Sequence, residues 1–187
     1  MSEVIEALFK SVAHALDWAY KMEHASHYPT FDPREHKPRF NMWTDLSTLE
    51  KCGQAAILID IVETRLKAPE TAAVRARHAT GFTQLKGIHS IAEYVRGLAK
   101  NTDECLTVIV ASMYIKRVAG GDKEARRKNE LLRSEYSIRK IANRYAVNIR
   151  SIQDDMMLIK GHVTALEKMA YTTLGEEFRK YPGLIEG

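Results

Sequence analysis

The sequence predicts an all-α fold, in which a helical N-terminal domain precedes a C-terminal helix-turn-helix that ends in a long helix. Apolar residues recur at three- and four-residue spacing through most of the chain, which is the period of an amphipathic helix. Serine and asparagine cap patterns mark the starts of several of these segments. The only run that resembles a strand is TVIV at 107–110, and no alternating pattern bounded by turns accompanies it.

The first helix is predicted from about Glu3 to Glu23, because seven apolar residues in the range Ile5 to Tyr20 share one stripe. The stretch that follows, HASHYPTFDPREHKPRF, contains three prolines and no periodicity, which is typical of a loop. His24, His27 and His36 belong to this stretch, but a structural zinc site needs a fourth ligand and none is evident. The sequence therefore predicts no metal and no cofactor.

The second helix is predicted to start at a capping box formed by Ser47 and Glu50. Its segment Ala55 to Ile59 is apolar nearly all round, which predicts that this helix forms the buried centre of the domain. Cys52 and Cys105 each lie inside an apolar helical pattern and not in a paired motif, so both are interpreted as core thiols.

Three more helices are predicted before the basic part of the chain. Pro69 suits the first turn of one helix, and Gly81 is expected to end it. The next is predicted over Ile88 to Lys100. The Asn101–Glu104 cap pattern then opens a helix that is expected to stop at Gly120–Gly121.

Composition and charge limit the partners. The chain is 45% hydrophobic and 28% charged, and no apolar run approaches the ~18 residues that a membrane-spanning helix needs. The N-terminus lacks the basic region of a secretory signal, so a cytoplasmic location without membrane contact is expected.

The net charge is +4, yet residues 116–150 contain eleven Lys or Arg and four acidic residues. Such a local excess favours a polyanionic partner.

The stretch SIRKIANRYAVNIRSIQDD, from Ser137 to Asp155, predicts two helices joined by a tight turn. Ser137 is the predicted cap of the first helix, and Ala142 is small enough to let the second helix cross closely. Val147 is the predicted apolar plug at the turn, and Asn148 is the predicted cap of the second helix. The expected inward face comprises Ile138, Ile141, Ala142, Tyr145, Ile149 and Ile152.

The outward face of these two helices predicts contacts with double-stranded DNA, because the second helix of such a unit reads base edges from its N-terminal residues. Arg150 suits guanine, Asn148 or Gln153 suits adenine, and Asp154 can accept from cytosine. Asp155, however, occupies a position where the motif usually has an apolar residue. The predicted DNA-binding residues are Arg139, Lys140, Arg144, Asn148, Arg150, Ser151, Gln153 and Asp154, with Lys123, Arg126, Arg127 and Lys128 extending a phosphate track.

The second helix is predicted to run on for some 20 residues, because the apolar spacing continues through Leu166. Met157 and Leu158 lie off the main stripe, which leaves open whether they pack against the N-terminal domain or against a second copy. From Gly175 the tail has no period and is expected to lie over the surface. The predicted divisions are 1–100 for the helical domain, 101–174 for the helix-turn-helix region and 175–187 for the tail.

The arrangement resembles the phage Q-type late-gene transcription antiterminators and related phage helix-turn-helix proteins. The resemblance rests on ALDWAYKM in the first helix, on LEKCGQAAILIDIVE followed by ARHA in the middle, and on the C-terminal helix-turn-helix, of which only the last is specific. It implies a protein that binds DNA near a late promoter in a bacterial host, engages RNA polymerase with its sigma factor and travels with the enzyme past terminators. Some relatives carry a cysteine-rich zinc insertion, which this sequence lacks.

Two other functions stay open at this point. A small-terminase-type packaging protein also joins a helix-turn-helix to oligomerising helices, and an all-α interaction module would bind no nucleic acid. An enzyme is not expected, because the sequence shows no nucleophile with a base, no paired carboxylates and no phosphate-cradling glycine loop. The oligomeric state and the DNA target are not predicted.

Overall fold

Residues 7–27, 47–114 and 135–185 are described by the computed structural model. These three segments contain helices and no β-strand, so the all-α prediction is confirmed, including for TVIV, which is helical. The helices are α1 (Val12–His27), α2 (Thr48–Arg65), α3 (Ala68–His78), α4 (Gly81–Val95), α5 (Asp103–Tyr114), α6 (Ile138–Tyr145) and α7 (Ile149–Phe178).

The first helix begins later than predicted. Residues 7–11 are not helical, and α1 starts at Val12, where the Ser11 hydroxyl accepts a hydrogen bond in the first turn. Phe9 pairs with the C-terminal segment instead, because its amide donates to the Leu184 carbonyl at 2.9 Å. Its apolar side chain, only 2% exposed, packs against the Trp18 ring of α1 and belongs to the second hydrophobic cluster, which also contains Leu184, so an extension of α1 does not bury it.

The start of α2 is confirmed, but its predicted burial is wrong. The Ser47 hydroxyl accepts from the Glu50 amide at 3.3 Å, and the Glu50 carboxylate accepts from the Ser47 amide at 2.7 Å. Within the apolar run, Ala55 and Leu58 are buried whereas Ile57 is 59% exposed. The helix packs against α1 and α7 on one side, and no other described helix covers the side on which Ile57 lies.

Pro69 lies in the first turn of α3, as predicted, but Gly81 opens α4 and does not end α3. Gly81 has a φ of +58°, a value that glycine adopts without strain, and the fourth helix starts there, seven residues before its predicted start. Gly87 allows α3 and α4 to pack closely: a Cβ atom at this position would lie 2.6 Å from the Ala76 nitrogen and 2.7 Å from the Ala72 carbonyl oxygen.

Two hydrophobic clusters form the core, and α7 contributes to both. Its N-terminal half, including Ile152 and Ile159, packs in a cluster with residues of α3, α4, α5 and α6. Its C-terminal half, including Leu174 and Phe178, packs with α1, α2 and the segments at either end of the described chain. Helices on both sides of residue 100 therefore share the first cluster.

The helix α7 continues through Gly175, where the tail was predicted to begin. Its 30 residues end at Phe178, which is fully buried because it extends the apolar stripe by one turn beyond Leu174. Leu184 and Ile185 then pack against the second cluster. The described part of the tail thus adds Phe178, Leu184 and Ile185 to the second cluster, whereas residues 179–182 are exposed, as expected for a segment that lies over the surface.

A buried polar contact joins α1, α3 and α7. His78 is 4% exposed, and the Asp17 carboxylate accepts from its Nδ1 at 2.8 Å. The Tyr171 hydroxyl lies 2.8 Å from the other ring nitrogen, Nε2. Burial and the nearby Glu167 carboxylate raise the pKa of Tyr171 to about 12.

The two cysteines differ in exposure. Cys105 is fully buried, as predicted for a core thiol, whereas Cys52 is only partly buried; both are free thiols. Within the segments that the structure describes, no helix combines the length and the apolar character needed to cross a bilayer.

Candidate nucleic-acid interface

The helix-turn-helix formed by α6 and α7 has the caps that the sequence predicts. The Ser137 hydroxyl accepts from the Lys140 amide at 3.4 Å, and the Asn148 side-chain oxygen accepts from the Arg150 amide at 2.8 Å. Between the helices, Ala146 adopts a left-handed conformation with φ 51° and ψ 39°. Ala146 caps the C-terminal end of α6, and Val147 and Asn148 complete the turn before α7 begins at Ile149.

The inward faces of the two helices meet in the first hydrophobic cluster. Ile141, Ala142 and Ile152 are buried, and Val147 packs partly buried at the turn, as predicted. Ile149 differs from its prediction, because it is 43% exposed. It is the first residue of α7, where the helix has not yet reached the packed part of the hairpin.

Asp155 is buried at the position where an apolar residue was expected. Its side chain is 2% exposed, and its carboxylate accepts from the Lys100 amide at 3.1 Å and from the Asn101 amide at 3.0 Å. The Asn101 side-chain amide also donates to it. The carboxylate therefore satisfies the backbone donors of the α4–α5 loop and fixes the second turn of α7 against that loop.

This contact also corrects the predicted Asn101–Glu104 cap. The helix α5 begins at Asp103, and Asn101 lies before it. Its side chain donates to Asp155 and to the Ser151 hydroxyl, the latter at 3.3 Å, so it belongs to the loop contact and not to a capping box.

The predicted base-reading residues divide into two groups. Asn148, Arg150 and Gln153 are exposed on the outer face of α7. Ser151 is half-buried against Asn101, and the exposed Asp154 carboxylate lies 3.5 Å from the Lys100 ammonium. Ser151 and Asp154 thus contact the α4–α5 loop, and the outer face is left to the other three.

The predicted phosphate-binding residues on α6 are also exposed, but an acidic residue shares them. Glu135 pairs with Lys140 at 2.7 Å and with Arg144 at 3.4 Å. The hydrogen bond from Lys140 lowers the pKa of Glu135, so the carboxylate stays charged at neutral pH. Lys123, Arg126, Arg127 and Lys128 lie outside the described residues.

Arg139 and Arg150 are exposed and have no ion pair among the residues that the structure describes. Lys160 is a third such cation, and the sequence-based prediction missed it. It lies seven residues after Gln153, which is two helical turns along the same face, and roughly 15 Å from Arg150 along the helix axis. Extending the outward face beyond the first turns of α7 would have found it.

The described residues contain no group of three or more His, Cys, Asp or Glu side chains that could hold a metal ion. The His27 side chain and His36 are not among those residues. Neither the protein-family models nor the curated proteins contain a match to this chain. The fold and the surface define an all-α protein with an exposed, basic helix-turn-helix face.

Proposed function

We propose that the protein is a sequence-specific regulator that binds double-stranded DNA through α6 and α7. The observation that carries this proposal is the exposure of Arg150 and Gln153 at the N-terminal end of α7, together with the exposure of the cation Arg139 on α6. A helix with free polar groups at this end can enter the major groove, while cations on the preceding helix contact phosphates.

The hydrogen bonds and ion pairs of each side chain indicate which residues would read bases and which would bind phosphates. Arg150 has no ion pair among the described residues, so both guanidinium edges are available to the O6 and N7 atoms of guanine. The Asn148 oxygen already caps α7, which leaves only its amide nitrogen clearly available to a base. Gln153 is therefore the better reader of adenine. Arg139, Lys160 and the pair Lys140 and Arg144 would contact phosphates.

The phosphate assignment is tested by the salt dependence of binding to a random-sequence duplex. In fluorescence anisotropy, R139A should weaken binding to every duplex alike and reduce the slope of log K against log salt by about 0.9, the loss of one phosphate contact. R65A is the matched control, because Arg65 is an exposed arginine on α2, where it lies 3.6 Å from Glu177. Equal slopes for both variants would contradict the proposed phosphate contact.

We further propose that this DNA binding serves transcription antitermination in a bacterial host, with RNA polymerase and its sigma factor as the protein partner. The support for this narrower function is the resemblance of the helix-turn-helix and the long helix to the Q-type antiterminators. A small-terminase-like packaging role is the alternative from the same residues.

A pull-down from host lysate, with and without nuclease, distinguishes these roles. Polymerase that is retained after nuclease treatment supports antitermination. Polymerase that is lost with the DNA contradicts a direct contact. An annular oligomer in analytical ultracentrifugation, without bound polymerase, would favour the packaging role.

A further inference from the structure

A groove lies beside the helix-turn-helix, between the end of α5, the start of α6 and the outer edge of α7. Its volume is about 540 Å³, which is within the range of small-molecule sites. The floor is apolar, and the three methionines that line the groove, Met113, Met156 and Met157, give it a shape that can adapt to a ligand. The residues that matter here are Met113, Tyr114, Ile138, Met156 and Val163, with Gln153 and Lys160 at the rim.

The charge at the rim selects the kind of ligand. Among the described residues, no acidic side chain lines the groove, and Lys160 is exposed without an ion pair to any of them. Arg77 also lines the groove, but its guanidinium donates twice to Glu167 Oε1, at 2.8 and 3.0 Å, and is neutralised by it. The described residues of the groove therefore present an apolar floor and one positive charge without a paired carboxylate, that of Lys160.

We propose that this groove binds a monocarboxylate with an apolar tail. The carboxylate would pair with the Lys160 ammonium, and the tail would lie on Met113, Met156 and Ile138. A dianion would leave one charge without a partner, and an apolar cation would be repelled by Lys160.

The groove also offers a means of regulation, which rests on the proposed function. Gln153 and Lys160 belong both to the groove and to the outer face of α7 that is assigned to DNA. A bound carboxylate neutralises Lys160 and thereby removes one phosphate contact. The ligand should accordingly weaken DNA binding and reduce its salt dependence by about one ion.

Isothermal titration of the full-length protein with decanoate, below its micellar concentration, tests the site. Saturable binding of decanoate, with weaker binding of decanol and none of decyltrimethylammonium, is expected. Equal binding of the three amphiphiles would overturn the proposal, because it would show detergent-like association without charge selection.

Two variants locate the site. K160E should weaken decanoate binding about tenfold or more, because it reverses the charge that pairs with the carboxylate. K168E is the matched control: Lys168 is exposed on the same helix, two turns further on, and does not line the groove. T164W should fill the groove from an exposed position of α7 and abolish binding. Equal losses in K160E and K168E would place the ligand elsewhere.

The DNA measurement separates failure of the site from failure of the proposed function. If decanoate binds and lowers the DNA affinity of the wild type but not that of K160E, the result supports both the groove as a ligand site and the proposed DNA binding. Decanoate that binds to a protein without DNA affinity supports the groove and contradicts the proposed function. If the protein binds DNA but does not bind decanoate, the proposed ligand site is wrong and the proposed DNA binding is unaffected.

Discussion

Replacing Asp155 by alanine tests how the outer face of α7 is held in place. The carboxylate accepts hydrogen bonds from two backbone amides and one side-chain amide of Lys100 and Asn101, while being 2% exposed itself. Each hydrogen bond to a charged group contributes about 1.5 to 3 kcal/mol. The desolvation of the carboxylate offsets part of this sum, and Lys100 is exposed, so water can replace some of the contacts. The expected loss in the free energy of unfolding is about 2 to 4 kcal/mol.

Urea unfolding, followed by circular dichroism, measures this loss. D154A is the matched control, because the neighbouring carboxylate is exposed and lies 3.5 Å from the Lys100 ammonium. Its removal should cost at most about 1 kcal/mol. D155N should lose most of what D155A loses, since its amide NH2 would face the donors of the loop. Equal values for D155A and D154A would refute the view that Asp155 fastens α7 to the α4–α5 loop.

Three other predictions concern packing, pH and charge. G87A should destabilise the protein by about 1 to 3 kcal/mol in urea unfolding, because the new Cβ would lie 2.6 Å from backbone, whereas G161A, with nothing within 4 Å, should gain up to about 1 kcal/mol. Since the pKa of Tyr171 is raised to about 12, the folded state holds this proton more tightly than the unfolded state. Its contribution to stability is complete below pH ~10 and should fall between about pH 10 and 12, with a smaller slope in Y171F. E135Q should release Lys140 and Arg144 and strengthen binding to every duplex, with a steeper salt dependence; unchanged affinity would show that the two cations do not reach phosphates.

The parts of the structure that the sequence predicted well are those that depend on neighbouring residues. The caps at Ser47, Ser137 and Asn148 need only the first turn of the helix that follows, and all three form. The apolar spacing likewise predicted that Ile141 and Ile152 are buried. Caps and apolar spacing, which depend only on neighbouring residues, were therefore enough to predict the two helices, the turn between them and the exposure of Arg150.

The parts that were predicted wrongly depend on distant partners. Phe9 has helical spacing with the residues after it, yet its backbone is not helical and pairs with Leu184 in the C-terminal segment, far away in the chain. Ile57 lies in an apolar run, but no other described element covers its side of α2. Asp155 was an anomaly within its motif until the α4–α5 loop supplied its donors.

The candidate site shows the same division. Periodicity placed Asn148, Arg150 and Gln153 on one outer face, and the structure agrees that they are exposed. The same periodicity could not distinguish them from Ser151, because the partner of Ser151 is the side chain of Asn101, which lies fifty residues earlier.

Selection from a random duplex library tests most directly whether the N-terminal end of α7 reads the major groove. The wild-type protein should enrich a defined motif that contains a guanine. R150A should lose preference at that guanine alone, with about 1 to 3 kcal/mol less affinity for the selected duplex and little change for a scrambled one. A library from which the wild type enriches no motif, or from which R150A enriches the same motif, would contradict the claim.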